Sequence, residues 1–355
     1  MPEPTASSSS SSKREDFDPP VVARHGEGVV GLGDQRSGAL YVFTPKVKLA
    51  VRVALTTGRP LLVRGPPGWG KSSLAKAVAN EKRWRYLEKV VSSRTQARDL
   101  MSELDLVRRL SDAQLKGRGV DDDWRRYIRP GVLWEAFDPP AAARQRRFFD
   151  RRETAADQAG DAVPTAFTPA VVLLDEMDKA DPDVPNNLLV AVGSLQFSVD
   201  EITTEKDGQG EPLLIKARPG LEPLIIVTTN DERDLPRAFL RRCVEIELPA
   251  LKRADRDKFT DKVRDQERIA LLVKIGMEHI HSRKDSEAGA LDCAFVRRIA
   301  RIIAQGGEEG PVIPSPAEFN DTLRAVGKLY GSKAQVDEVK SIITMAARKR
   351  GVSGM

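Results

Sequence analysis

The sequence predicts an α/β protein: a three-layer αβα sandwich around a parallel sheet, followed by a small all-α domain. Three observations carry this expectation. Two short runs, Ala170 to Leu174 and Leu224 to Thr228, are continuously apolar, as strands buried on both faces of a parallel sheet are. Helical patterns lie between most of the strand-like segments, the alternation that puts helices on both faces of a sheet. Beyond Pro249 the strand-like runs stop and the sequence turns helical.

Taken in order, Met1 to about Pro20 is Ser, Pro and charge, with a serine tract at Ser7 to Ser12. It has nothing to bury and reads as the main part of a disordered tail over residues 1–30. The folded domain is expected over 31–249. From Pro45, the residues Val47, Ala50, Val51, Ala54 and Leu55 fall at i, i+3, i+4, i+7 and i+8, a helix with one buried face. Gly58 and Pro60 end it, and Leu61-Leu62-Val63 is a short apolar strand. Further strands are expected at Tyr86 to Val91, at the two apolar runs, and at Val244 to Leu248, whose alternation suits one exposed face. A helix begun at Asp99 is expected to break at the charged stretch Leu115 to Pro130, so an insert is expected at about 100–133. Pro139 to Pro169 is rich in Ala, Arg and Pro without clear periodicity, and a surface insertion is expected at about 138–169. Loops this long are usually functional or mobile. Residues 250–355 form the helical domain, with helices at Ile269 to Ile280, Phe295 to Ile303 and Phe319 to Tyr330, the last carrying Leu323, Val326 and Leu329 on one stripe.

The chain has 355 residues, 40% of them hydrophobic and 31% charged. That composition supports a sizeable core and excludes a disordered chain, a coiled coil or a small stapled scaffold. Lys and Arg total 57 against 52 Asp and Glu, and the net charge of +5 argues only weakly for nucleic acid. The two cysteines, Cys243 and Cys293, offer neither a disulfide framework nor a zinc site, which fits a reducing cytoplasm. No apolar run approaches the ~18 residues of a membrane span, and Met1 to Asp18 lacks an apolar signal core. A soluble cytoplasmic protein with no membrane contact is expected. His279 and His281, two apart on a helix, read as a surface pair and not as metal ligands. Asp121-Asp122-Asp123 and Arg144 to Arg152 read as solvated charge.

The chemistry begins at Gly65-Pro66-Pro67-Gly68-Trp69-Gly70-Lys71-Ser72, which fits G-x-x-x-x-G-K-[ST] between a strand and a helix whose Leu74, Ala75 and Val78 share one side. Such a loop curls so that backbone N–H groups, including that of Ser73, converge on phosphate oxygens at a positive helix end. Lys71 reaches the β- and γ-phosphates of a nucleotide, and the Ser72 hydroxyl is a Mg²⁺ ligand. Trp69 is bulky for this position; a tolerated exposed residue is one reading, a stacking surface for nucleotide or neighbouring subunit the other.

The strand Ala170 to Leu174 ends in Asp175-Glu176, and ligand sites of open α/β sheets lie at carboxyl ends of strands. Asp175 suits the Mg²⁺ shell and Glu176 the polarisation of an attacking water. Leu224 to Thr228 leads in the same way to Asn230, placed for the γ-phosphate or the lytic water. Pro236 to Cys243 reads as a short helix ending in Arg241-Arg242, and arginine suits charge on a transferring phosphoryl group because its planar fork is always charged.

Phosphate loop, Asp-Glu strand, Asn-terminated strand, arginine pair and helical lid, in that order, resemble an AAA+ P-loop ATPase. The chain is more closely similar to the MoxR-type branch, particularly its effector- and conflict-system-associated members. The matching segments are Pro60 to Val63, Ser92-Ser93-Arg94-Thr95 with Asp99-Leu100, and Arg129 to Phe137. Leu174 to Ala180, Pro185 to Leu189 and Leu240 to Cys243 match as well, so the likeness runs roughly from Tyr41 to Leu329. The stretch Arg129 to Phe137 is what points to the branch. The resemblance implies a homo-oligomeric ring, usually a hexamer, with ATP and Mg²⁺ between subunits. It implies Arg242 as the finger reaching a neighbour's γ-phosphate, with Arg241 the close alternative. An insert in helix 2 and a hairpin at Phe197 to Pro219 would face the pore. There is one departure. Where the branch often reads Ser-Pro-Arg-Ala in its lid, this chain reads Ser315-Pro316-Ala317-Glu318, and Ala317 cannot sense phosphate; Arg324, Arg297 and Arg298 are the candidate substitutes.

The expected function is an ATP-driven ring that remodels or activates a protein partner, such as a von Willebrand A domain protein or an effector protease of a bacterial defence system. The alternative is a nucleic-acid motor or clamp of the same fold. Against it stand the lack of a recognisable DNA-binding motif and of a basic run with interleaved aromatics. A scaffold that binds ATP without turnover is a third class, which Glu176 and Arg242 oppose.

Overall fold

The computed structural model describes residues 14, 16–24, 40–116, 123–150, 167–203, 210–248, 258–281, 293–305, 313–330 and 335–347. Strand β1 (Val22–Arg24) pairs antiparallel with β2 (Leu40–Val42). Phe17 is buried and meets Phe43 edge-on at 5.6 Å. The tail expected through residue 30 is therefore corrected over residues 16–24, because Phe17 and Ala23 find a core to enter; the serine tract Ser7 to Ser12 lies outside the described residues.

Helix α1 (Pro45–Thr57) buries the five residues that the periodicity selects. Thr44 caps it by accepting from the Val47 N–H, and Gly58 ends it with φ +67°. Strand β3 (Leu61–Arg64), helix α2 (Lys71–Lys82) and strand β4 (Arg85–Val90) follow. The helix expected from Asp99 does not form. Asp99 sits in a single 3₁₀ turn, Ala97–Leu100, closed by reciprocal capping with Gln96. The chain then makes β5 (Ser102–Leu104), α3 (Leu106–Lys116), a 3₁₀ turn at Trp124–Tyr127 and β6 (Ile128–Pro130), with β5 and β6 antiparallel.

Helices α4 (Val132–Phe137) and α5 (Pro139–Asp150) come next. Helix α5 corrects the start of the expected irregular insertion. Its prolines stand in the first turn, where a missing N–H costs nothing, and Gln145 is buried, its Nε2 donating to the carbonyls of Arg125 and Ile128 at 2.7 Å each. Residues 151–166 of that insertion lie outside the described residues.

Around α3 and α5 the expected lack of basic residues interleaved with aromatics is also corrected. Arg108 lies 5.3 Å from the Phe149 ring, Arg125 5.8 Å from Phe148 and Arg129 4.9 Å from Phe149, with Arg109 over Trp124. Helix α3 thus turns its arginines inward. Its apolar side faces solvent, with Leu106, Val107 and Leu110 at 49%, 80% and 63% exposure.

Strand β7 (Ala170–Asp175), helix α6 (Asp183–Ser194), the antiparallel ribbon β8 (Gln196–Thr203) and β9 (Pro212–Lys216), strand β10 (Leu224–Thr229), helix α7 (Arg237–Leu240) and strand β11 (Val244–Glu247) complete the first domain. The central sheet has five parallel strands in the order β11-β3-β10-β7-β4. Alternate residues serve its two faces. Leu61, Val63, Val171, Leu173 and Ile226 pack with Val51 and Leu55 of α1 and Leu74 and Val78 of α2. Leu62, Val172, Leu174 and Val227 pack with Trp134 and Phe137 of α4 and Leu188 of α6. Each such Leu or Val side chain contributes ~1.5–3 kcal/mol on full burial, which is why these runs read as unbroken apolar sequence.

The C-terminal region is helical, as the sequence predicts: α8 (Lys258–His281), α9 (Cys293–Gln305), α10 (Pro316–Leu329) and α11 (Val336–Ala347). Its separate core joins Leu272, Val296, Ile299, Phe319, Leu323 and Val339. Helix α11 was not singled out by the sequence pattern.

Candidate active site

Strand β3 delivers the loop Gly65–Gly70 to the amino end of α2. Gly65 has φ +132°, and a Cβ there would stand 2.0 Å from the carbonyl oxygen of Leu248, the residue after β11, so the close approach of that chain demands glycine. Gly68 has φ +78°, and a Cβ there would meet Ser315 Oγ at 2.4 Å. Pro66 and Pro67 form the exposed side of the loop, while Gly70 is the left-handed residue from which α2 starts. Lys71, Ser72 and Ser73 make the first turn of α2, whose unpaired N–H groups and positive end suit an anion.

Lys71 is 7% exposed. Its Nζ donates to the carbonyls of Gly65 and Pro66 at 2.6 and 2.9 Å and to Asn230 Oδ1 at 2.6 Å. Burial pulls its ammonium below the ordinary lysine value, and Asp175, Asp178, Asp231 and Glu176 push it back up. Ser72 Oγ donates to Asp175 Oδ1 at 2.8 Å. Three neighbouring strands, β3, β10 and β7, thus bring Lys71, Ser72, Asn230 and Asp175 together at their carboxyl ends. A hydroxyl beside a carboxylate is a donor set that fits Mg²⁺, which takes oxygen ligands and keeps several waters.

Glu176 follows Asp175 in a left-handed conformation, φ +61°, which a non-glycine residue adopts at a cost. Thr228 holds it there. The Glu176 N–H donates to Thr228 Oγ1 at 2.9 Å, and the same hydroxyl donates to Asp175 Oδ1. Lys179 Nζ pairs with Glu176 Oε2 at 2.8 Å, and that bond raises the lysine's pKa. Asp178 is buried, and its Oδ2 accepts the N–H groups of Asn230 and Glu232 at 3.0 and 3.1 Å, fixing the turn after β10. Neither Thr228 nor Asp178 was picked out from the sequence; the available signal was their spacing from Asn230 and Asp175.

Trp69 is 7% exposed, which corrects the reading of it as a tolerated exposed residue. It packs with the core of the α1–α2 face, and the Arg268 guanidinium of α8 lies 6.0 Å from its ring. Helix α10 also closes on the loop: the Ala317 N–H donates to the Gly68 carbonyl at 3.3 Å. Of the candidate substitutes for the missing lid arginine, Arg324 pairs with Asp321 on its own helix at 3.5 Å, and Arg297 and Arg298 are exposed on α9. Among the described residues of the helical region, Arg268 does lie against a loop residue, Trp69.

Arg241 and Arg242 are exposed at the end of α7, with Arg242 Nη1 donating to the Ala238 carbonyl at 3.1 Å. Cys243 beside them is buried, and its thiol is pushed up to about 12. Because Val244 pairs in parallel with Leu61, the arginines stand at the amino end of the sheet. The phosphate loop is at the other end. Five residue steps separate Pro60 from Gly65, roughly 16 Å at ~3.3 Å per residue. The structure therefore brings Lys71, Ser72, Asp175 and Asn230 together and leaves Arg242 apart from them within one chain.

A family model described as "ATPase family associated with various cellular activities (AAA)" matches residues 61–250. No curated protein matches the chain. Among solved structures, two single-substitution mutants of RuvB from Thermotoga maritima match at 13% identity and TM-score 0.42; the first match covers 88% of this chain and 73% of that one, the second 87% and 68%. A structure described as the Thermotoga maritima RuvB Holliday junction branch migration motor matches at 14% identity and TM-score 0.38, covering 84% of this chain and 67% of that one. Likenesses this distant say nothing of what this chain acts on.

Proposed function

The chain belongs to the AAA family of ATPases, and from that premise we propose that it is a Mg²⁺-dependent ATP-hydrolysing ring of the MoxR type that remodels or activates a protein partner. The observation that carries the hydrolytic part is the hydrogen bond from Ser72 Oγ to Asp175 Oδ1 beside the Lys71–Asn230 contact. Ser72 and Asp175 would hold the metal, which when bound offsets charge on the β- and γ-phosphate oxygens. The loop amides and Lys71 bind and orient the phosphates, Lys71 exchanging its present carbonyl acceptors for phosphate oxygens. Glu176 takes a proton from the attacking water, with Lys179 and Thr228 setting its position. Asn230 fixes the water or the γ-phosphate. Glu176→Gln should bind ATP with a Kd within about threefold of the parent chain and release phosphate at least ~10²-fold more slowly. Phosphate release by purified Glu176→Gln at the parent rate overturns the assignment.

For the partner, the exposed apolar side of α3 supports a protein, since such a patch marks a contact surface on an otherwise charged molecule. The aromatic rings nearby oppose the nucleic-acid alternative. Phe148, Phe149 and Trp124 are already covered by the chain's own guanidinium groups and are not free platforms for bases. Single-stranded or duplex DNA should neither bind at 150 mM salt nor change the ATPase rate. Salt-dependent DNA binding that stimulates hydrolysis and is lost in Arg125→Ala/Arg129→Ala would reverse the choice.

A further inference from the structure

We propose that Arg59 is a positioning residue that sets Arg241 and Arg242 for the phosphate site of a neighbouring subunit, an inference resting on the reading of that pair as acting in trans. Arg59 stands between Gly58, which ends α1, and Pro60, which leads into β3. Its guanidinium gathers three successive backbone carbonyls. Nε donates to the Arg242 oxygen at 3.0 Å, and Nη2 donates to the Cys243 oxygen at 2.9 Å and to the Arg241 oxygen.

These carbonyls lie where the hydrogen-bonding ladder of α7 has run out, and helix carboxyl ends carry partial negative charge. A cation there is favourable, and only a planar fork of donors can take several carbonyls at once; a lysine offers a point charge. The backbone of the arginine pair is thus held from within its own chain while both side chains remain exposed. Arg59 is also one residue from a second tie, the Val244 N–H donating to the Pro60 carbonyl at 2.8 Å. Strand β3, which ends in this chain's phosphate loop, and the arginines offered to the next chain are therefore parts of one rigid unit. A movement of the loop in one subunit is carried to the finger it presents to another.

The test is steady-state ATP hydrolysis by the full chain, with ATP Kd measured separately. Arg59→Ala should lower kcat at least tenfold and leave KM and Kd within about twofold. Arg59→Lys should recover only part of the rate. Mixed with Lys71→Ala chains, which keep Arg59 and the arginine pair, Arg59→Ala chains should regain activity, because their intact phosphate sites then meet a well-set pair. Mixed with Arg242→Ala chains they should not. A chain merely damaged in its own fold would not be rescued by a partner whose phosphate site is dead. If Arg59→Ala does not fold, Arg59→Gln is judged by the same criteria. Parent kcat in Arg59→Ala while Arg242→Ala or Arg241→Ala loses turnover overturns the positioning role and leaves the trans reading standing. A loss in Arg59→Ala that co-assembled Lys71→Ala chains fail to restore overturns it too. Parent kcat in both Arg241→Ala and Arg242→Ala overturns the trans reading, and the proposal with it.

Discussion

Thr228 is a single buried hydroxyl that holds both acidic residues of the site, accepting from the Glu176 N–H and donating to Asp175. Valine has nearly the same shape and no hydroxyl. Thr228→Val should therefore leave the sheet intact but strand the Glu176 N–H, lowering stability by about 1–3 kcal/mol in denaturant unfolding. Turnover should fall by about tenfold or more, because the left-handed Glu176 loses the partner that fixes it. Unchanged stability and rate would show that water replaces the hydroxyl. The residues of this site divide by range. Lys71, Ser72, Asp175, Glu176 and Asn230 were legible because each sits a fixed few residues from a strand end, where local backbone alone determines position. Arg268 and Arg59 act on residues 199 and 183 positions away, on Trp69 and Arg242 respectively. No spacing rule connects such pairs before the chain has folded.

At the scale of elements, the phosphate loop is gripped from two sides, by Leu248 just after β11 at Gly65 and by the amino end of α10 at Gly68. Gly68→Ala would push a methyl group into Ser315 Oγ while forcing alanine into a left-handed φ. The expected result is a thermal midpoint lower by several degrees and weaker nucleotide binding, both from one substitution, since loop and lid share the contact. Adding Ser315→Gly should relieve the collision and recover part of each; no recovery would mean that backbone strain alone is responsible. The central strands were legible from unbroken apolar runs, because both faces of the sheet are covered. The region from Asp99 to Pro130 misled for the opposite reason. Its elements are short, β5 and β6 having three residues each, and α3 turns its polar side inward, so no period pointed to what it packs against.

For the whole molecule, the proposed reading of Arg242 as a residue acting in trans would leave a lone subunit with an incomplete site, since Arg242 lies at the other end of the sheet from its own phosphate loop. Specific activity should then rise with protein concentration as rings form, and Arg242→Ala should bind ATP normally yet hydrolyse it poorly. An arginine of this kind contributes ~10³–10⁵ in rate in related phosphoryl-transfer enzymes. The check is the ATPase rate over a hundredfold dilution series, with assembly followed by light scattering. A rate per chain that stays constant while the assembly falls apart would make the subunit self-sufficient. Such a contact joins unlike surfaces of identical chains, and it closes into a ring when the rotation between neighbours permits.

The order of the strands has a consequence for how the protein comes into being. Strand β10 lies between β3 and β7, yet it is the last of these three to leave the ribosome, and β3 meets it across more than 160 residues of sequence. Until Leu224–Thr229 arrives, the first half of the chain has a phosphate loop with no floor beneath it. Long-range parallel pairing of this sort is slow and leaves strand edges open meanwhile. A nascent chain therefore lacks the strand that joins β3 to β7 until about two thirds of it has been made.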